Sequence, residues 1–591
     1  MDDKREFTFT ALVLGVLLAV VFGAANAYLG LRVGLTVSAS VPAAVISMGV
    51  LRFVLRRDSL LENNMVQTIG SAGESLAAGA IFTMPALYLW AQEGVCAPPG
   101  MWQLALVALA GGVLGVLMMV PLRRPLIVEE EQTLVYPEGR ACADVLRAGE
   151  GGAKRAGKVF LGLGAAAVVK LVTDLFGWIP ATFSWSFQRI RGALGFDVSP
   201  ALLGVGYVVG WRVSLLLFAG SLLGWIVLIP LFCLWKPDAV ELWDGGGARA
   251  VWSAYVRYVG AGAIATGGFI SLVRSMPLFL RTFRGRPSHP DAPTASSTPS
   301  VSPCLRATEN GEGCLTPPAK LDDARDRDLP LGRVLAGIAA VVLLVWLVPA
   351  IPVGFTGAVL TALFGFFFAA VSARMVGLVG SSNNPVSGMT IATLVVASLV
   401  LKATGPAGAA GMVAAIAIGS LVCIVAAIAG DTAQDLKTGR ILGATPWKQQ
   451  VGELVGVTAS ALAIGGVLWL LHRAWGFGSD QISAPQATLM KVIVEGIMGG
   501  GLPWELLLIG AGIAVVLCVC RVPVMPFAIG LYLPVGINAT IFAGGLVRLV
   551  CDRRAGVRAE GEDPGTLVSA GLIAGEGLCG ILLAVLTLAM K

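Results

Sequence analysis

Apolar runs of about 20 residues, the length that crosses the hydrocarbon core of a bilayer as a helix, follow one another along almost the whole chain. Spans are predicted near 8–31, 34–55, 64–90, 101–120, 157–176, 199–212, 213–235, 251–279, 331–349, 354–373, 384–402, 406–430, 450–472, 503–520, 524–549 and 566–590. That gives about 16 transmembrane helices, with 199–212 short for a crossing. One long polar stretch interrupts them. Residues 281–330 carry Pro, Ser, Thr, Asp and Arg with few large apolar residues, cannot bury a core, and are predicted to be a flexible hydrophilic loop. The loop separates an N-terminal transmembrane half, 1–280, from a C-terminal half, 331–591. The predicted fold class is all-α: a polytopic integral membrane protein with internal repeats and broken or re-entrant helices.

Composition agrees. Of 591 residues 56% are hydrophobic and 13% charged, about half the charge of a soluble domain. The 76 glycines suit helices packed closely in lipid, whereas a barrel would need short alternating segments. The net charge of +6 comes from Lys and Arg in short loops, where they orient helices, so nucleic acid is not an expected partner. Lys4, Arg5, Arg52, Arg56, Arg57, the 121–158 segment and the 281–333 segment all fall on one side if the N-terminus is cytoplasmic, which places the chain in the cytoplasmic (inner) membrane. Arg548, Arg553, Arg554 and Arg558 break that pattern: either a span around 486–500 is miscounted or the bias is overridden there. The run ending Ala25-Asn26-Ala27 has the form of a signal peptide, but apolar character resumes at Tyr28, and it is read as a retained first helix. With His only at 289 and 472, no metal site is expected, and no cofactor. Cys304 and Cys314 share the polar loop and are expected to stay unbridged in the cytoplasm.

Internal repeats are more informative than any single motif. Val33-Gly34 followed by Ala72-Gly73-Glu74-Ser75-Leu76 matches Val535-Gly536 followed by Ala574-Gly575-Glu576-Gly577-Leu578, both at an offset of 502 residues. Weaker echoes begin at Val209-Gly210 and Val379-Gly380. The implied unit is a Gly-broken turn followed by a small-residue helix. Gly/Pro-interrupted segments at corresponding positions point to a transporter's binding site.

Four regions could carry chemistry. Residues 128–139, with Glu129, Glu130, Glu131 and Glu138 around Tyr136-Pro137, have the composition of a solvated acidic loop, but Pro and Gly punctuate them as in a fixed turn. Gly380 to Thr390 opens the eleventh span with Asn383, Asn384, Ser387 and Met389, a helix start suited to a substrate carboxylate. Asp431 and Asp435 are one turn apart after the twelfth span, with Asp431 the candidate and Asp435 and Lys437 assigned to a solvated helix start. Glu74 and Glu576 lie within spans without a local partner, so proton coupling is expected of them; Lys170 and Asp174 are expected to neutralise each other. The candidate proton-coupling set is therefore Glu74, Glu131, Glu138, Asp431 and Glu576. Candidate substrate-binding residues are Asn26 and Tyr28 at the first Gly-turn, Tyr136, the Asn383, Asn384, Ser387 and Met389 group, and Tyr532 and Asn538 around the Gly530 to Pro534 break. Gly152 to Lys158 has phosphate-loop spacing, but Val159 stands where Ser or Thr would hold magnesium, so ATP-driven transport is not expected.

Asn26 to Gly34, Glu131-Gln132 with Tyr136 to Gly139, Asn384 to Thr390, Gly430 to Gly439 and Gly530 to Val535, taken in order, resemble the oligopeptide transporter family, in its prokaryotic branch near the yellow-stripe-like metal-chelate transporters. The resemblance implies a secondary transporter, commonly proton-coupled, for small peptides or metal–chelate (siderophore-like) complexes, and no enzyme activity. The expected partners are that substrate, protons, the lipid bilayer and a second copy of the chain in a homodimer. Two other classes compete: an ion-pumping membrane hydrolase of pyrophosphatase type, for which the single 431–437 cluster is too few acids, and a channel, which broken helices would also serve.

Overall fold

The computed structural model describes residues 6–34, 36, 38–53, 56, 59–131, 134, 136–147, 152–264, 266–267, 270, 326–381, 384, 386–406, 408–479, 481–499, 503–555 and 563–590. The predicted loop up to residue 325, with Cys304 and Cys314, and the candidate Asn383 lie outside them.

Helices dominate, and their ends follow from the sequence. The Thr8 hydroxyl caps α1 (Phe9–Val33) by accepting from the Ala11 N–H at 3.1 Å, and Gly34, at φ 76°, ends it. After α2 (Ser40–Phe53), Ser59 caps α3 (Leu60–Ile81) in the same way. The expected span 64–90 is in fact broken: Phe82–Met84 form a turn and Pro85 starts α4 (Pro85–Gln92), where its missing N–H costs nothing. Then come α5 (Met101–Arg123), α6 (Pro137–Arg147), α7 (Gly152–Lys170), α8 (Pro200–Val209), α9 (Trp211–Leu222), α10 (Ile229–Trp235) and α11 (Pro237–Val251).

The second half holds α12 (Leu331–Leu347), α13 (Gly354–Val379), α14 (Val386–Thr404), α15 (Ala409–Leu442), α16 (Pro446–Trp475), α17 (Pro485–Met498), α18 (Trp504–Val519), α19 (Val524–Tyr532), α20 (Val535–Ala555) and α21 (Pro564–Met590). α17 occupies the place where a miscounted span was suspected. The predicted span 524–549 is two helices, parted at Leu533-Pro534.

Among the described residues eight helices are long and apolar enough to cross a membrane, and four shorter apolar helices accompany them. The protein is a polytopic membrane protein, without the count being fixed at sixteen. The all-α fold class holds; the sheet among the described residues is one antiparallel hairpin, β1 (Thr182–Phe187) with β2 (Gly192–Asp197). Its signal was the alternation Phe183, Ser184, Trp185, Ser186, Phe187, a period of two rather than 3.6.

The two halves interleave. α3 packs on α1 but also on α15 and α16, and α7 packs on α21. α15, 34 residues long, is buried almost throughout and forms the molecule's axis. At ~1.5 Å per residue it is ~51 Å long, more than the ~30 Å hydrocarbon core, so one end stands clear of lipid.

Candidate functional site

Chain breaks converge on one cavity of about 570 Å³, within the usual size of small-molecule sites. Its polar wall comprises Thr36 and Ser38 from the α1–α2 connection, Glu74 and Ser75 of α3, Glu138 of α6, Ser381, Asn384 and Ser387 where α13 gives way to α14, Asp431 of α15 and Gln486 of α17. Val208, Val209, Val213, Leu217, Met525, Pro526 and Ile529 add an apolar part of the lining, with Ala78, Phe82, Val386 and Ala427 from the elements that carry the polar groups. Among the described residues that line it there are three carboxylates and no Lys, Arg or His.

Local structure holds these groups in place. Gly380 has φ 83°, and a Cβ on it would stand 2.8 Å from a Glu138 carboxylate oxygen, so only glycine lets the two breaks meet. Asn384 donates to the Ser372 hydroxyl at 2.7 Å, which donates to the Ala426 carbonyl at 2.5 Å and ties the α14 start to α15. Gln434 links three elements, donating to the Val376 carbonyl at 2.9 Å and accepting from the Gly139 N–H at 2.8 Å. Glu74 accepts from Asn26 and, at 3.3 Å, from the Ala39 N–H just before α2. Asp431 accepts from the Ser71 hydroxyl at 2.5 Å.

Of the residues singled out in the sequence, Glu74, Glu138, Asn384, Ser387 and Asp431 line this cavity, and Asn26 stands one layer behind, on Glu74. Others do not reach it. Tyr28 is buried against Gly580 with the Lys170 ammonium 5.8 Å from its ring; Tyr136, at φ 53°, packs on Gly377. Met389 is buried in the apolar core. The Tyr532 hydroxyl accepts from Arg257 at 2.9 Å, and Asn538 donates to the Ser221 hydroxyl at 2.5 Å and the Gly530 carbonyl at 3.1 Å. For Tyr28, Tyr136, Met389 and Tyr532 the reason is bulk, since these large side chains fill space behind the breaks, whereas Asn538 is turned away by its bonds to Ser221 and Gly530.

Two expected proton carriers are ion-paired instead. Glu131 meets Lys437 at 2.8 Å and Arg440 at 3.3 Å, and Glu130 meets Arg374 at 2.8 Å, so of the acidic segment Glu138 is the carboxylate among the cavity residues. Glu576 does have partners: Arg32 at 2.7 Å, Lys170 at 3.8 Å, the Ser199 hydroxyl and the Ala201 N–H at 2.8 Å. Lys170 and Asp174 pair as expected, at 2.6 Å. Asp435 and Lys437, assigned to a solvated helix start, are both buried, because α15 continues to Leu442 inside protein.

Sequence reasoning missed Thr36, Ser38 and Gln486. It also missed the polar stripe on α3 that leads to Glu74, namely Asn63, Gln67 and Ser71, whose helical spacing was visible in the sequence.

A sequence profile described as OPT oligopeptide transporter protein matches residues 6–587. The chain belongs to the oligopeptide transporter family. It is similar, at 34% identity over 94% of this chain and 92% of the relative, to a Haemophilus influenzae protein provisionally named an oligopeptide transporter. Proteins of Oryza sativa subsp. japonica and Arabidopsis thaliana, provisionally named metal-nicotianamine transporters, are 24% and 23% identical over 99% of this chain and 91% and 87% of their own lengths. The protein is thus a transporter and not an enzyme; nothing in these relationships favours a membrane hydrolase or a channel.

In this transporter the Glu131 contacts are a pH-dependent clamp between the acidic segment and α15. Burial alone would push the Glu131 carboxyl up, but the Lys437 hydrogen bond and the Lys437 and Arg440 charges outweigh it and hold the group below its ordinary value of 4.5. A depressed carboxyl contributes its stability in full above the unfolded value and loses it as pH falls through the folded one. Glu131→Gln is therefore expected to lower the Tm of detergent-solubilised protein at pH 7, and the gap from wild type is expected to shrink below about pH 4. A gap unchanged by acid would show that the charge is irrelevant.

Proposed function

We propose that this family member is a proton-coupled symporter of the cytoplasmic membrane, with its N-terminus inside, and that its substrate is a small peptide with a free amino terminus. The observation that supports this most is the composition of the cavity lining: among the described residues, three carboxylates and no cation, together with a set of apolar side chains. A substrate ammonium suits Glu74, Glu138 and Asp431, apolar side chains suit the valines, and the substrate carboxylate suits the N–H groups at the start of α14, which Asn384 and Ser387 flank. The Lys and Arg distribution of the first half supports the orientation.

A metal chelate of an amino-acid-like ligand is the second reading, supported by the similarity to the two plant proteins along nearly the whole chain. Thermal-shift titration of purified protein separates the two, since a ligand bound to the native state raises Tm. Trialanine is expected to stabilise and N-acetyl-trialanine is not. Stabilisation by nickel–nicotianamine alone would move the assignment to the second reading, and stabilisation by none of the three would overturn both.

A further inference from the structure

Behind the cavity wall lies a second pair of acids that no substrate contact requires. Asp435 is one helical turn beyond Asp431 on α15, and its carboxylate lies within hydrogen-bonding reach of Glu453 on α16. Both are buried, Glu453 completely. Gln67 donates to one Asp435 oxygen at 2.5 Å, and Gln449 donates to the Asp435 carbonyl at 3.0 Å. The other Asp435 oxygen and both Glu453 oxygens are buried, and the buried donor beside Glu453 is the Thr432 hydroxyl of α15, which leaves the face turned to Asp435 to be satisfied within the pair. Two carboxylates that face each other can satisfy one another only if one of them carries a proton to donate.

The titratable groups facing the pair are Asp431 on its own helix, Glu74 on α3 and Cys142 on α6, with Glu138 of α6 next to Asp431 and Glu74. All are acidic. The cation on the same helix, Lys437, is turned to Glu131, and among the described residues no Lys, Arg or His forms an ion pair with Glu74, Asp431, Asp435 or Glu453. Adjacent buried acids without a counter-cation cannot all ionise, and a dyad in that position holds one proton between its members.

We propose that Asp435 and Glu453 form the proton site of this transporter, set one turn behind the substrate wall and separate from the residues that touch substrate. A proton held there removes one negative charge from beside Asp431. Asp431 then stays ionised and available to a substrate ammonium, so proton binding favours substrate binding, the sign that symport requires. The inference rests on the proton-coupled reading above and adds where the proton sits.

Two measurements test it. In infrared difference spectra of the full-length protein at neutral pH, a protonated-carboxyl C=O band sensitive to deuterium exchange is expected, and it should vanish in Glu453→Gln and in Asp435→Asn. Absence of that band from wild type, or its persistence in both variants, overturns the proposal whatever the transport data show. In proteoliposomes given labelled trialanine, Glu453→Gln is expected to lose at least tenfold of the accumulation driven by an inward proton gradient while continuing to exchange label in counterflow. If wild type is proton-driven and Glu453→Gln accumulates equally well, the dyad is not the coupling site. If wild type exchanges label but answers only to a sodium gradient, or does not exchange it at all, the failure lies in the proton-coupled peptide reading, and the proton site falls with it.

Discussion

Asp431→Asn is expected to weaken trialanine binding roughly 10- to 100-fold. The figure follows from losing one hydrogen bond to a charged group, about 1.5–3 kcal/mol, at 1.4 kcal/mol per factor of ten. Asp431 is buried at the cavity edge and oriented by the Ser71 hydroxyl at 2.5 Å, so its carboxyl is held in place before substrate arrives and little ordering is lost on binding. The thermal-shift titration reads the effect directly as a displaced midpoint. Its pairing with Glu453→Gln is diagnostic: the first variant should lose affinity, the second should keep affinity and lose the proton drive. Binding of Asp431→Asn within twofold of wild type would remove the acidic wall from substrate recognition.

The cavity walls explain why the helices are broken where they are. In lipid an unpaired backbone group is tolerated only where it lines a cavity or is covered by protein. Gly34 and Gly380 both end helices at positive φ and both border the cavity, so two echoes of the same sequence unit, one from each half, meet at one site. This is the arrangement in which substrate sits between repeats while the halves move about it.

The polytopic membrane character and half of the cavity's polar residues were legible in the sequence because an apolar chain shows its spans and makes each polar residue stand out. Glu74, Glu138 and Asp431 were found by that contrast alone. Direction was not legible. A one-dimensional pattern places Tyr136, Tyr532 and Asn538 at breaks but does not say that their side chains turn away from the cavity, nor that Gln486, from the unpredicted helix α17, turns into it. Partnership across long separations was equally hidden: Arg32 and Glu576, or Gln67 and Asp435, meet only through the interleaving of the halves. The repeat itself misled at one point. Glu74 faces the N–H groups preceding α2, which directly follows its own Gly-turn, whereas Glu576 accepts from Ala201 at the start of α8, not from α20.

That difference in partners yields the second large effect. Glu576 is 1% exposed and Arg32 12%, so Arg32→Ala leaves a buried carboxylate with only the more distant Lys170 as counter-charge. Breaking a buried pair from one side costs about 3–5 kcal/mol; with Lys170 remaining 3.8 Å away the low end, about 3 kcal/mol, is expected. Thermal unfolding in detergent should show Arg32→Ala several degrees below wild type, with part of the loss recovered in the Arg32→Ala, Glu576→Gln double variant, because the stranded charge is gone. Glu576→Gln alone should leave proton-driven accumulation intact, since Glu576 lies outside the cavity and its charge is already answered by Arg32 and Lys170. Loss of the proton drive in Glu576→Gln at an unchanged Tm would restore the two repeat glutamates to equivalent roles, and would make the ion pair part of the transport cycle rather than a strut between α1, α7, α8 and α21.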